Sequence, residues 1–281
     1  MKKQKNSVLF LIAILVILIV GVYLAYDKLY IPSARTYATY LAVHQELDQA
    51  EADSLKIDTS NHKVVILPSD DDKVKIVFYQ KSDNANVLSN ENKHFELTMV
   101  ERVENLDNIL FKSEKKIDTI YIYLPLDKAF TLSVKSVDGQ LTVNGVKLKE
   151  LTFNNTVGDV SITNCELGRV TINTNTSNLL FDNNTFSNLA VDIVAGTCQL
   201  KLPGSLYASK LNIKTMYGNI LINGEQLKAI DEEGNEVISR ELVQSEGEGM
   251  IRIGSTRAKI DITSVEPVEE EPVEETQESQ E

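Results

Sequence analysis

The chain has 281 residues, a formal net charge of −13, two cysteines, three histidines and no tryptophan. The length allows one or two domains, and 42% hydrophobic residues are enough for a core. The acidic balance excludes nucleic acid as a partner, because a phosphate backbone requires a basic surface. Two cysteines cannot build a disulfide framework, and three scattered histidines leave little for a zinc site.

The N-terminal segment predicts a membrane anchor. Residues 8–25 form an uncharged apolar run, long enough to cross most of a hydrocarbon core of roughly 30 Å. Three lysines precede the run, so the positive-inside bias predicts a cytoplasmic stub (1–7), one transmembrane helix (8–26) and an extracellular remainder. The alternative is a cleaved signal peptide, whose apolar region is normally about 7–15 residues long. The longer run favours an uncleaved signal anchor.

Residues 27–53 predict a short helical stalk, or a cap on the domain that follows. Apolar and aromatic residues recur there at helical spacing: Tyr37, Tyr40, Leu41, His44 and Leu47. We expect His44, which lies on this stripe, to be packed rather than catalytic.

A repeat of 19 residues dominates the next 200 residues of the chain. Each repeat has an apolar starting residue, followed by apolar residues two, nine and eleven positions further on. Over five repeats these columns are Leu132, Leu151, Val170, Leu189 and Leu211; Val134, Phe153, Ile172, Val191 and Ile213; Leu141, Val160, Leu179, Cys198 and Ile220; and Val143, Ile162, Phe181, Leu200 and Ile222.

A small residue lies between the two apolar pairs of each repeat. Seven positions after the start, the sequence has Gly139, Gly158, Ser177, Gly196 and Gly218. Glycine adopts positive φ without penalty, so a tight turn is expected to link two short alternating strands. One such unit cannot cover its own apolar face, but stacked units can. The prediction is an all-β fold, a β-solenoid with two strands per repeat, over residues 54–264.

The same columns recur at both ends of this domain. Residues 55–66 and 251–262 fit them, and Val74 is expected to open a further repeat. Residues 81–124 predict antiparallel strands that complete or cap the first repeats, and residues 223–249 predict an insertion near the other cap.

The step from Leu189 to Leu211 is 22 residues, three longer than the others. It predicts a bulge or widened turn near Pro203 and Gly204. Beyond the solenoid, residues 265–281 contain eight Glu and no base, and are predicted to be a disordered acidic tail.

Two groups of carboxylates are candidate sites. Asp70, Asp71 and Asp72 could bind a cation, but they lack EF-hand spacing and are interpreted as a solvated turn. Asp138 and Asp159 flank the glycine column, and paired carboxylates can cleave glycans. They fall on opposite sides of that column without a partner base or an aromatic subsite, so a structural role is favoured.

The remaining polar candidates are interpreted structurally. His62 occupies the glycine column of the first repeat and is expected to be exposed. Cys165 and Cys198 are expected to be two free thiols, and could pair only if a turn approaches the core. Asparagines crowd the turns and can hydrogen-bond along a solenoid: Asn154, Asn155, Asn173, Asn175, Asn183 and Asn184. No catalytic, cofactor-binding or metal-binding residue is assigned.

Four segments carry a resemblance to a known family: SLKIDTSNHKVVILPSDDDKVKIVFY, IYIYLPLDKAFTLSVKSVDGQLTV, LTFNNTVGDVSI and LNIKTMYGNILI. Residues 53–264 resemble the bacterial putative-adhesin family of unknown function, whose β-solenoid domain is also called toastrack. The resemblance implies an envelope protein, common in Gram-positive bacteria, often anchored and linked with cell-envelope stress. It brings no catalytic residues, and Ser177 departs from the usual glycine.

Three functions follow as hypotheses. The first is a non-enzymatic binding, scaffold or sensory module at the cell surface, with an envelope protein or a cell-wall glycan as partner. The second is a glycan-active enzyme on a solenoid scaffold. The third is a purely structural spacer. The anchor and the lack of a catalytic set favour the first.

Overall fold

A computed structural model of the chain describes residues 14–24, 40–48, 52–81, 87–99, 118–204, 208–227, 240–245 and 247–264. The helix α1 covers residues 14–24, inside the predicted transmembrane segment. No helix among the described residues has both the length and the apolar character needed to cross a bilayer. The predicted stub, both ends of the predicted membrane segment and the acidic tail lie outside the described residues.

Nineteen strands are described. The first nine are β1 (Tyr40–Asp48), β2 (Ser54–Thr59), β3 (Lys63–Pro68), β4 (Lys73–Lys81), β5 (Val87–Glu91), β6 (His94–Met99), β7 (Thr119–Leu124), β8 (Phe130–Lys135) and β9 (Leu141–Asn144). The others are β10 (Lys147–Asn154), β11 (Val160–Thr163), β12 (Glu166–Asp182), β13 (Thr185–Leu202), β14 (Lys210–Thr215), β15 (Asn219–Ile222), β16 (Glu225–Gln226), β17 (Arg240–Gln244), β18 (Met250–Ser255) and β19 (Lys259–Ser264).

The strands form two stacks of parallel strands that face each other across the core. In spatial order the first stack is β6, β2, β8, β10, β12, β13, β18 and β14. The second stack is β7, β3, β9, β11, β12, β13, β19 and β15. Each coil of the solenoid contributes one strand to each stack. The long strands β12 and β13 pass through the corner and belong to both.

The predicted repeat is confirmed by the strand register. Leu151 pairs with Val170 and Val170 pairs with Leu189, so residues 19 apart in sequence are direct neighbours. Of the twenty column residues all are at most 1% exposed except Ile222, which is half-buried. These side chains join one continuous apolar cluster between the stacks. Burial of these stacked apolar side chains is the main interaction that holds the coils together.

The spatial order of the coils differs from the order in sequence. Leu189 pairs with Ile251, and Ile251 pairs with Leu211 on its other side. The coil of β18 and β19 therefore lies between the coil of β13 and that of β14 and β15. The longer step between β13 and β14 carries the chain past one coil position. The bulge or widened turn predicted near Pro203 and Gly204 stays a prediction, because residues 205–207 lie outside the described residues.

The N-terminal part of the solenoid also departs from prediction. Strands β6 and β7 pair in parallel with β2 and β3, so they form the two strands of an outer coil in place of the predicted antiparallel strands. Residues 82–86 and 100–117 of this segment lie outside the described residues. The antiparallel pairings described at this end are those of β5 with β6, β4 with β7 and β1 with β4. Val74 lies in β4 and therefore does not open a coil. The described part of the predicted insertion lies at the other cap, since β17 pairs with β14 and β16 pairs with part of β15. Residues 228–239 and 246 of this segment lie outside the described residues.

The helical stalk is wrong for residues 40–48. They form β1, which pairs antiparallel with β4 over nine positions. Val43, Gln45 and Leu47 are less exposed than the residues between them, an alternation that a strand satisfies and a helix does not. His44 points the other way and is exposed, so its predicted packing is also wrong. Residues 27–39 and 49–51 of the predicted stalk lie outside the described residues.

Candidate binding cleft

In several coils a side-chain hydroxyl closes the first corner, where the chain passes from the first stack to the second. An offset counts residues from the first apolar residue of a coil. The backbone N–H of Gly218 at offset seven donates to Thr215 Oγ1 at offset four, at 3.1 Å. The N–H of Ala258 donates to Ser255 Oγ at 2.7 Å in the same way. Each bond satisfies a backbone donor of the turn with a side-chain acceptor.

Two coils replace the small residue at offset seven with a polar side chain. Ser177 is buried, and its hydroxyl hydrogen-bonds with that of Thr174. His62 is only 2% exposed, and its Nδ1 lies 2.6 Å from Thr59 Oγ1. The predicted exposure of His62 is therefore wrong. Both side chains point into the corner, where they hydrogen-bond with the threonine at offset four, the position that Thr215 and Ser255 occupy in their own coils.

Glycine occupies this column for two different physical reasons. Gly158 and Gly196 have φ of 139° and 119°, as predicted for a turn that needs positive φ. Gly139 and Gly218 lie outside that range. At Gly218 the cause is close approach, because an added Cβ would lie 1.9 Å from the carbonyl oxygen of Ala258 in the adjacent coil.

Asparagines form ladders along the solenoid, as predicted. At the first corner Asn173 Nδ2 donates to Asn154 Oδ1 at 2.8 Å. At the second corner, where the chain enters the next coil, Asn183 Nδ2 donates to Asn164 Oδ1, also at 2.8 Å. Asn164 and Asn183 both have φ of 54°, which asparagine tolerates better than most residues. The ladders fix the orientation of the amide groups from one coil to the next.

A cleft of about 600 Å³ crosses the first corner of five successive coils; we name it the corner cleft. At offset three each coil contributes one residue, and in spatial order these are Asn154, Asn173, Asp192, Gly254 and Lys214. Ile193, Val194 and Met216 add apolar surface at offsets four and five. The corner cleft thus combines amides, a carboxylate and an ammonium group with an apolar wall.

Both charged groups in the corner cleft are paired. Asp192 Oδ2 accepts a hydrogen bond from Arg252 Nη2 at 3.1 Å. Lys214 Nζ lies 3.7 Å from Glu241 Oε2 on β17. The side chains of these pairs are about half exposed, so each pair contributes little to stability. Their effect is to leave the cleft without a net charge.

The sequence does not by itself indicate the corner cleft. Asp192, Gly254 and Lys214 become neighbours only because one coil is inserted between two others. One signal exists: at offset three Gly254 has no side chain, whereas six of the seven other coils have Asp, Lys or Asn there and the outer coil has Thr98.

The acidic turn between β3 and β4 is an ion-paired bend. Lys75 Nζ lies 2.8 Å from both Asp70 Oδ1 and Asp71 Oδ2. The hydrogen bond from Lys75, together with those from Lys73 N and Ser69 Oγ, lowers the pKa of Asp71 to about 2. The same two carboxylates raise the pKa of Lys75. A carboxylate pair already bound to an ammonium group fits the predicted turn.

Asp159 joins neighbouring coils. Its Oδ1 accepts hydrogen bonds from both the backbone N and the Nδ2 of Asn178, each at 3.0 Å. This is the inter-coil role that sequence analysis favours over catalysis. Asp138 lies at the exposed first corner of its own coil, beside Val137.

Cys165 and Cys198 are both buried and free, as predicted. Cys165 Sγ donates to the carbonyl of Thr163 at 3.1 Å. Complete burial raises the pKa of the Cys198 thiol to about 12, and burial also raises that of Cys165. Neither is a reactive thiolate at neutral pH. Across the described ranges, no three His, Cys, Asp or Glu side chains cluster as metal ligands would.

The sequence model of the Toastrack DUF4097 family matches residues 52–271. The chain belongs to the toastrack family. Its match begins just before β2 and includes every coil of the solenoid, so the repeat and the family describe the same part of the molecule. No curated protein matches this toastrack chain.

Solved structures similar to the toastrack chain share little sequence with it. A putative cell adhesion protein from Clostridium sporogenes is 15% identical, with a TM-score of 0.40, over 80% of this chain and 100% of the other. A putative lipid binding protein from Parabacteroides distasonis is 9% identical, with a TM-score of 0.32, over 80% and 96%. A putative adhesin from Bacteroides fragilis is 11% identical, with a TM-score of 0.28, over 80% and 97%.

Proposed function

We propose that this toastrack protein is a membrane-anchored, extracytoplasmic and non-enzymatic binding module of the bacterial cell envelope. The observation that carries the proposal is the way the solenoid uses its polar groups. The asparagine ladders, Asp159 and the buried corner hydroxyls all bond across or within coils. The corner cleft is open to solvent, and both of its charged groups are already paired. Such a surface can hold a ligand without transforming it.

The N-terminal segment supports the anchored location. Residues 14–24 form a helix in which every residue is exposed, including Ile17 at 71% and Val22 at 68%. An apolar helix with no packing partner among the described residues is stabilised when lipid covers it. The lysines before the apolar run support an extracytoplasmic solenoid.

Cysteine labelling in intact cells tests this location, because both native thiols are buried and should not react. Val137 is 55% exposed on the first corner, so Val137→Cys should react with a membrane-impermeant maleimide. The matched control is Lys3→Cys in the predicted stub, which should react only after permeabilisation. The labelled protein should stay in the membrane fraction.

The opposite labelling pattern would refute the proposed orientation. Labelled solenoid in the soluble fraction, shortened at its N-terminus, would instead show a cleaved signal peptide.

A further inference from the structure

The corner cleft is an open trough that runs along the solenoid axis. It crosses five coils, and neighbouring strands lie about 4.8 Å apart, so the four intervals give a length of about 19 Å. Its volume is in the range of ligand-binding clefts. A trough of this shape suits a linear chain of several units better than one compact molecule.

Gly254 forms the floor of this trough. It lies within β18, and its φ is outside the left-handed range, so the backbone does not require glycine there. An added Cβ would meet only the Asp192 carboxylate closely, with Oδ1 at 2.7 Å. Because that oxygen ends a flexible side chain, a larger residue could be accommodated. What a larger residue would remove is the depth of the cleft.

The polar groups around the floor are held in fixed orientations and keep hydrogen-bond donors and acceptors for a ligand. An asparagine amide has two N–H donors and a carbonyl acceptor. Asn173 uses one donor on Asn154, which fixes its plane, and keeps the rest for a ligand. Asp192 and Lys214 are held by Arg252 and Glu241. Fixed groups lose little conformational entropy when they bind.

The backbone of the corner is already used. The N–H groups of Asn155, Thr256 and Met216 donate to carbonyl oxygens of adjacent coils. A peptide that binds by strand addition needs a free row of backbone donors and acceptors. The corner offers side-chain amides and hydroxyls instead, beside the carbon surface of Val194 and Met216.

From this combination we infer that the corner cleft binds a neutral, linear glycan. Sugar hydroxyls are both donors and acceptors and match the amides of Asn154 and Asn173. The C–H faces of the rings match Val194 and Met216, and paired charges favour a neutral chain over an ionic one. The inference rests on the proposed function, since the glycan must be reached from outside the cell.

Binding by the full chain, purified in detergent, tests the inference by isothermal titration calorimetry. The probes are two neutral oligosaccharides, cellohexaose and chitohexaose, and the acidic polymer polygalacturonate. We expect at least one neutral probe to bind, and polygalacturonate to bind at least about tenfold more weakly. The Gly254→Leu variant fills the floor and should abolish the binding. The Asn173→Ala variant should weaken it about tenfold.

The matched control is Asn178→Ala. Asn178 is an exposed ladder asparagine on the same strand, β12, and bonds to Asp159 and Thr197 outside the cleft. This variant should bind like the native chain. Circular dichroism and the urea midpoint of each variant verify that the solenoid is intact.

Two outcomes would overturn the inference: neither neutral probe binds, or Gly254→Leu binds as well as the native chain while folded. Preferential binding of polygalacturonate would overturn its neutral character. None of these results affects the labelling experiment, so the proposed location stands or fails separately.

Discussion

At one end of the solenoid, the antiparallel strands β4 and β1, nine residues each, extend the second stack beyond β7. At the other end the same stack finishes with the two-residue strand β16. These two strands, β1 and β4, form the N-terminal cap, in which Val74, Ile76 and Phe78 are at most 2% exposed. The C-terminal cap consists of β16 and β17, and Val243 of β17 is 63% exposed.

The comparison shows that an open sheet end can be protected in two ways. The N-terminal end adds a further layer of core, which stabilises it through burial. At the C-terminal end two short strands, β16 and β17, lie over the last coil and bury little apolar surface. We therefore expect the two ends to differ in local stability, and the corner cleft lies toward the weaker one.

The largest effect should come from the N-terminal cap. Phe78→Ala removes a buried ring and should lower the free energy of unfolding by about 3–5 kcal/mol. The half-buried Leu242 of β17 is the matched position at the other end, and Leu242→Ala should cost roughly 1–2 kcal/mol. Urea unfolding followed by circular dichroism measures both.

Hydrogen exchange of the native chain gives an independent measure of the same comparison. The amides of β17 should exchange faster than those of β4. Equal losses for the two alanine variants, or slower exchange in β17, would show that the ends are equally stable.

A difference of intermediate size in the free energy of unfolding is expected between substitutions in the two coils that lie second from each end. At offset seven the N-terminal one has buried His62, and the C-terminal one has Ala258. His62→Ala leaves the Thr59 hydroxyl without its imidazole partner and opens a cavity, which should cost about 1–3 kcal/mol. Ser255→Ala removes only the acceptor for Ala258 N and should cost about 1 kcal/mol. A larger loss for Ser255→Ala in the same urea assay would reverse the comparison.

The smallest effect should come from charge in the N-terminal cap. The pKa of Asp71 is lowered from its ordinary 3.8 to about 2, so the folded state binds this proton less readily than the unfolded state. The stability it contributes is present above pH 3.8 and is lost as the pH falls toward 2. Asp71→Asn should therefore be slightly less stable than the native chain at pH 6, with the difference vanishing near pH 2.

The control for this measurement is Asp72→Asn. Asp72 makes no ion pair among the described residues, so its substitution should leave the free energy of unfolding at pH 6 close to that of the native chain. An Asp71→Asn difference that persists at pH 2 would show that the carboxylate acts through packing rather than charge.

The sequence could predict the solenoid because its signal is local and repeated. Leu151, Val170 and Leu189 lie 19 residues apart, and the register places them side by side. The sequence could not predict the coil order, because Ile251 and Leu211 carry equivalent patterns. Either could have stacked on Leu189, and only three-dimensional packing selects Ile251.

The helix predicted around His44 failed for a related reason. Its spacing suits a helix, but nine pairings with β4 outweigh that local preference. The asparagine ladders could be predicted, because the residues recur in the same turn of successive coils. The corner cleft could not, because Asp192 and Lys214 meet across a coil that the chain supplies only later.

The inserted coil also sets an order of assembly. Strands β14 and β15 leave the ribosome before β18 and β19, yet they have no parallel neighbour in the stacks until those strands arrive. The growing chain can stack its coils as far as β13. Strands β14 and β15 then reach their native positions only after β18 and β19 have been synthesised. The floor of the corner cleft is therefore synthesised after one of its walls, and a premature stop before residue 250 removes that floor.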